Sequence, residues 1–342
     1  MSLSPRKHEP LTVATACRSK RFTVVALAAM LQAMLTAPAA FGHDSQHWSS
    51  AVSADPERRN GVNTSVNDGC PIEAPDGHML FFASNRVANG SGTKDLDIWV
   101  AYRETEDSPF GAPEPLPTPI NTPAAEFCPT PLPGNQLLFV STRPNPACGW
   151  TTNNPDIYYT RLQMSPLGWT EPVPLPCGAV DSINSAGEEF SPSLVQAEGQ
   201  AHFFFSSNRE TGTMGVHKIY WSTLLPDGTW SPAQKVDELN STMSDARPNV
   251  RDDGLEIVFD SNRGGTYDIY VATRHRITAR WSSPKRLSEH VNSDAADETR
   301  ASLSADGTRL YFGSTRANAD LGGTGADIYV STRSEPGRHH RK

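Results

Sequence analysis

Apolar and polar residues alternate from Val258, break at Arg263–Thr266, and alternate again to Arg274 (VFDSNRGGTYDIYVATR). Period-two alternation on both sides of a glycine turn predicts a β-hairpin. The same pattern stands at Phe81–Arg103 (FFASNR…DIWVAYR), Leu138–Arg161 (LFVSTR…DIYYTR), Phe203–Thr223 (FFFSSNR…KIYWST) and Leu310–Arg333 (LYFGSTR…DIYVSTR). Copies repeating every ~50–60 residues mean an array of supersecondary units. Each unit has the same order of parts. An Asn opens a loop, an acid follows about five positions on, and a short strand, usually with Pro, leads into a turn. The hairpin comes next, and an aromatic-x-x-Pro segment closes the unit. In the fourth unit these are Asn240, Asp245, Pro248, Asp253-Gly254, the hairpin, and Trp281 to Pro284.

Four short strands per unit describe a propeller blade. Runs such as Leu137–Val140 and Phe203–Phe205 are nearly continuous in apolar residues, as suits middle strands sandwiched between neighbouring blades. No helical periodicity of useful length follows residue 42. The expected architecture is all-β, a five-bladed β-propeller over residues 43–337 with a basic tail at 338–342. The fifth unit lacks the closing aromatic-x-x-Pro segment, and Trp48 stands before the first unit. Trp48 to roughly Val52 is therefore expected to supply the outer strand of the last blade, leaving no open edge in the ring.

Charge and cysteine content narrow the setting. Arg18, Lys20 and Arg21 precede an apolar run, Phe22–Leu35, and small residues follow to Gly42. That pattern reads as a secretory signal peptide over residues 1–42, and the run is short for a membrane span. Residues 1–42 hold five Lys/Arg and one Glu, so the remainder has 25 basic and 37 acidic residues, a net charge of −12. Such a surface disfavours nucleic acid. An exported, periplasmic or secreted monomer is expected. Four cysteines remain without a C-x-x-C pair, and an exported chain can oxidise them. Cys148 falls between the second and third strands of blade two, and Cys177 in the connection to blade three. Those two connections emerge on one face, so a Cys148–Cys177 disulfide is predicted. Cys70 and Cys128 each precede Pro in adjacent inner strands, where they form a competing pair or stay as buried thiols.

Candidate chemistry must be weighed against the repeat, because an enzyme needs its catalytic group once. Arg86, Arg143, Arg209, Arg263 and Arg316 each leave a second strand, and Asp97, Asp156, Asp268 and Asp327 each begin a third. The hairpin geometry predicts an Arg–Asp contact within each blade, a structural role. Blade three carries Lys218 in place of the Asp. Arg209 then lacks that partner, which marks blade three as functionally distinct. The acids that open the inner strands, Asp68, Glu126, Glu189, Asp245 and Glu298, are placed round the mouth of the central channel. Two readings stay open for them. Several converging carboxylates suit Ca²⁺ or another ligand; alternatively each acid caps backbone N–H groups or pairs with a local arginine such as Arg247 or Arg300. No other cofactor is expected. No G-x-S-x-G or H-E-x-x-H occurs, which removes two hydrolase classes. The enzymatic alternative is a five-bladed glycosidase using two channel-mouth carboxylates. The uncopied loops, Val87–Leu96, Pro144–Pro155, Glu210–His217 and Ala317–Ala326, all join second to third strands. With Lys218 and the inner acids, they make one face the candidate surface for an envelope or extracellular protein or glycan.

RPNVRDDGLEIVFDSNRGGTYDIYVATR and its four counterparts resemble the PD40 group of WD40-like repeats found in the TolB propeller. The resemblance covers most of the chain after residue 42 and implies the propeller fold. The TolB family adds an N-terminal α/β domain and a sixth blade, which this sequence is not expected to have. The lipoprotein partner of that family is therefore not carried over.

Overall fold

A computed structural model describes residues 47–56, 60–87, 95–149, 154–178, 181–316 and 325–334. The signal-peptide expectation and the basic tail lie outside the described residues. Five antiparallel sheets carry the fold. Blade one runs Asp68–Glu73, Met79–Ser84, Asp97–Tyr102 and Glu114–Pro115 from the inner to the outer strand. Blade two runs Glu126–Leu132, Gln136–Ser141, Asp156–Met164 and Val173–Pro174, with Leu167–Trp169 folded back on its long third strand. Blade three runs Glu189–Ala197, Gln200–Ser207, Lys218–Thr223 and Gln234–Lys235, and blade four Asp245–Val250, Glu256–Ser261, Asp268–Thr273 and Lys285–Arg286. Blade five has Glu298–Leu303, Arg309–Ser314 and Asp327–Thr332, and takes Val52–Ser53 as its outer strand. Each inner strand contacts those of both neighbouring blades, so the ring closes round one axis. The chain is a five-bladed β-propeller, as the repeat predicts.

The packing shows why the hairpin is copied. Phe82, Phe139, Phe205, Phe259 and Phe312 occupy one repeat position and are each fully buried. So are Ile98, Ile157, Ile219, Ile269 and Ile328, which follow the first residue of each third strand. Burying one such side chain is worth about 1.5–3 kcal/mol, so these two positions together contribute about 3–6 kcal/mol to each blade. The asparagines that open the units tie the blades together. Asn121 accepts from the Ile98 N–H at 2.9 Å and donates to the Ile98 carbonyl at 2.9 Å. Asn184, Asn240 and Asn292 do the same to Ile157, Ile219 and Ile269. Each thus continues the sheet of the preceding blade with a side-chain amide in place of backbone.

Closure follows the same rule. Val52 and Ser53 pair with Val330 and Tyr329, and Asn63 bonds to both backbone groups of Ile328. Trp48 is 3% exposed, with the Arg333 guanidinium 4.3 Å from its ring. Arg274 lies likewise 4.1 Å from Trp281, and Arg103 4.5 Å from Phe110. Trp48 therefore fills the place of the aromatic that the fifth unit lacks.

Two disulfides are present, Cys148–Cys177 and Cys70–Cys128. The two pairings are compatible rather than competing. They bridge sequence separations of 29 and 58 residues, each worth about 4 kcal/mol in the chain-entropy account. Non-reducing peptide mapping should return both pairs, and reduction should lower the denaturation midpoint. A free thiol at any of the four positions in folded, air-oxidised protein contradicts this arrangement. Trp48→Ala should cost about 3–5 kcal/mol, read from urea unfolding. A cost under about 1 kcal/mol, the level of an ordinary surface substitution or little more, means that the ring does not depend on this residue.

Candidate functional site

The start of an inner strand, the end of the second and the start of the third meet on one face: Asp68 opposes Ser84, and Ser84 opposes Asp97. At that corner each blade builds one polar cluster. The inner acids Asp68, Glu126, Glu189, Asp245 and Glu298 are all fully buried. Each accepts from the serine that ends its second strand, at 2.5–2.7 Å. Each also accepts a backbone N–H from the loop before it, such as Thr122 to Glu126 at 2.8 Å and Ser185 to Glu189 at 2.9 Å. Arg86, Arg143, Arg209, Arg263 and Arg316 complete the set by ion pairing with the acid of their own blade. Their guanidiniums lie over the buried Phe and the following Trp or Tyr at 4.7–5.5 Å. Burial pushes the Glu126, Glu189 and Glu298 carboxyls up, while these donors and arginines hold against it.

This corrects three expectations. The hairpin arginines pair with the inner acids, not with the third-strand aspartates, because the guanidinium turns inward across the sheet. The acids face these donors within the blade, and their local arginine is the hairpin one rather than Arg247 or Arg300. Lys218 does not strip Arg209 of a partner: Arg209 pairs with Glu189 at 3.2 Å. Lys218 instead crosses to blade four, donating to the Ser241 carbonyl at 2.7 Å and to that of Met243, with Asp245 3.8 Å away.

The third-strand aspartates sit at blade junctions. Asp97 is pushed up to about 6 by burial and then by Glu126 of blade two. Asp156 is 1% exposed and is pushed up to about 7 by burial, with Glu189 adding to the shift and an Asn145 hydrogen bond opposing it. Asp268 forms an ion pair with Arg286 at 2.8 Å. Asp327 has an interaction of its own.

The axis is where the five copies differ. Each inner strand bulges two residues after its acid, at Cys70, Cys128, Ser191, Arg247 and Arg300, all with φ between 47° and 60°. These residues and their successors line an axial cavity of about 30 Å³. Cys70–Cys128 staples one side of the ring, and Ser191 donates to Cys128 Sγ at 3.2 Å. On the other side Arg247 pairs with Asp260 at 2.5 Å. Asp260 takes a position held by Ala83, Val140, Ser206 and Gly313 in the other blades. Phe127 and Phe190, half-buried, follow the acids of blades two and three with ring centroids 5.5 Å apart. His217 packs edge-on to Phe190 at 4.7 Å, meets Glu188 at 3.1 Å, and is held neutral by burial, near a pKa of 4. Sequence reasoning passed over Asp260, Phe127 and Phe190, and took Arg247 and Arg300 only as partners for the acids. The available signal was departure from the repeat beside the acid and before the inner Pro.

Among the described residues no helix is long and apolar enough to cross a membrane, and no group of three or more His, Cys, Asp or Glu is arranged to hold a metal. Of the uncopied loops, residues 88–94, 150–153 and 317–324 lie outside the described residues. No family model and no curated protein matches the chain. Its fold is shared with solved structures. An α-L-arabinofuranosidase from Lactobacillus brevis superposes with a TM-score of 0.51 at 13% identity, covering 83% of this chain and 98% of that one. A family 117 glycoside hydrolase from Zobellia galactanivorans gives 0.53 at 13%, covering 87% and 97%. A putative TolB from Agrobacterium tumefaciens gives 0.45 at 15%, covering 79% and 92%. At these identities the likeness speaks for the fold alone.

Asp156 generates a pH prediction. A carboxyl raised in the fold favours the protonated folded state, so its contribution is complete below the ordinary carboxylate range and is lost as pH rises through about 7. Asp156→Asn should therefore stabilise the protein by about 2–4 kcal/mol at pH 8 and by little near pH 4. Denaturant midpoints at the two pH values check this. An equal effect at both sinks it.

Proposed function

We propose that this chain is an exported, non-catalytic propeller of the PD40, TolB-like kind that binds a protein or glycan partner on its loop-rich face. The observation that carries the reading is the state of the five repeat carboxylates. All are fully buried and already engaged by serine, backbone and arginine donors. Glycoside hydrolysis needs two carboxyl groups free to reach substrate at a set separation. The glycosidase reading keeps support from the shared fold with the Lactobacillus brevis and Zobellia galactanivorans enzymes. A binding surface has its own support at the channel mouth, where Phe127 and Phe190 stay half-buried. Aromatic faces there suit stacking on a sugar ring or an apolar side chain. Two disulfides favour an oxidising compartment.

A screen on aryl-glycosides and arabinose-containing polysaccharides should show no turnover above the blank. Glu189→Gln should instead reveal itself in stability, at a cost of about 3–5 kcal/mol, because it strands Arg209. Turnover that disappears in folded Glu126→Gln or Glu189→Gln protein overturns the non-catalytic reading. Phe127→Ala/Phe190→Ala protein should lose the partners captured by wild type from envelope extract and the glycans bound on an array.

A further inference from the structure

The ion-pair bookkeeping of the axial cavity does not close. Two guanidiniums, those of Arg247 and Arg300, stand near a single carboxylate, Asp260. One Asp260 oxygen goes to Arg247 at 2.5 Å and the other accepts the backbone N–H of Arg300 at 2.9 Å. The Arg300 side chain is left without a hydrogen-bond or ion-pair partner among the described residues, and its Nε is fully buried and unsatisfied. The other polar side chains round the cavity are committed. Thr130 donates to the Pro192 carbonyl at 2.6 Å, Ser302 to that of Pro71 at 2.7 Å, and Ser191 to Cys128. Asn249 accepts from Leu303 N–H at 2.9 Å.

The chain also makes room for this arginine. A Cβ built at residue 69 would stand 2.9 Å from Arg300 Nη1. The corresponding residues in the other inner strands are Phe127, Phe190, Ala246 and Thr299. With no side chain at Gly69, the guanidinium lies against the blade-one backbone, where a Cβ would make it shift. Arg300 is half-buried with its Nε fully enclosed, and drawing a cation out of water without a partner is costly. Burial, with Arg247 adding to it, brings Arg300 down to about 10, which still leaves it charged at neutral pH.

We infer that the axial cavity, with Arg300 and Arg247 as its donors, is a binding site for a small monovalent inorganic anion such as chloride. Charge sets the class. Two arginines against one aspartate leave a single positive charge, which a monovalent anion balances, and a cavity of about 30 Å³ exceeds the ~10–15 Å³ that one water needs, so a chloride or bromide has room. The anion would complete a two-plus, two-minus set with Asp260 inside the ring. Its role is to hold blades four, five and one together at the axis, a role separate from any partner on the outer face.

The test is a thermal-unfolding titration of the full chain at pH 7, with chloride replacing gluconate at constant ionic strength. Wild type should gain about 3 °C when chloride reaches ten times its dissociation constant, and then level off. Bromide should act alike and give one anomalous peak on the axis in crystals. Sulfate should add nothing beyond ionic strength. Arg300→Met removes the unpaired charge with little loss of volume, so it should fold and lose the halide-specific gain. No halide-specific gain in wild type overturns the inference, as does a gain that persists in Arg300→Met or a bromide peak away from the axis.

Discussion

The arginine that leaves each second strand is the interaction on which the ring rests. It is bound on every side: a buried carboxylate, a serine hydroxyl, backbone carbonyls of the preceding loop, and two aromatic faces. Arg143 shows the pattern, with Glu126, Ser141, the Pro119 and Ile120 carbonyls, Phe139 and Tyr158. A buried charge pair alone is weak evidence for stability. Here the desolvation of both ions is offset by filling nearly every donor and lone pair. That cluster fixes where the inner strand begins, where the hairpin turns, and how the loop between blades enters. Replacing one member leaves the others buried without partners, which explains why serine, arginine and acid are copied together.

The repeat carboxylates are nearly saturated. Asp68, Glu126, Glu189 and Asp245 each accept from four donors and Glu298 from three. Variation is confined to what the cluster does not need: the bulge residues on the axis and the loops over one face. The five-fold frame positions a disulfide on one side of the axis and two arginines on the other, so the channel is asymmetric although the ring is nearly regular.

Much of the fold was legible in the sequence because the repeat writes each rule five times. Phe259 and Ile269 could be placed by alternation, and Trp48 by the missing last segment. The partners of Arg263 were not legible. Hairpin spacing places Asp268 across from Ser261, and from that spacing alone Arg263 and Asp268 are expected to meet. Strand twist and the bulge at Arg247 instead bring Asp245 beneath the guanidinium. The axial chemistry was hidden for a different reason. Arg300 and Gly69 lie 231 residues apart in the sequence, and nothing local signals that one vacates space for the other.

The seam between the first and last blades carries a consequence for biogenesis. Asn63 meets Ile328 across 265 residues, and Glu73 meets Arg309 across 236. Every other blade can assemble from neighbours made just before it. This seam joins the earliest-made part of the propeller to the latest, so its entropic cost is met only when blade five has been made. Until then the third strand of blade five has no outer neighbour and residues 52–53 have no sheet. The ring is thus assembled sequentially but locked in a single final step, and an unfinished chain presents an open sheet edge to its surroundings.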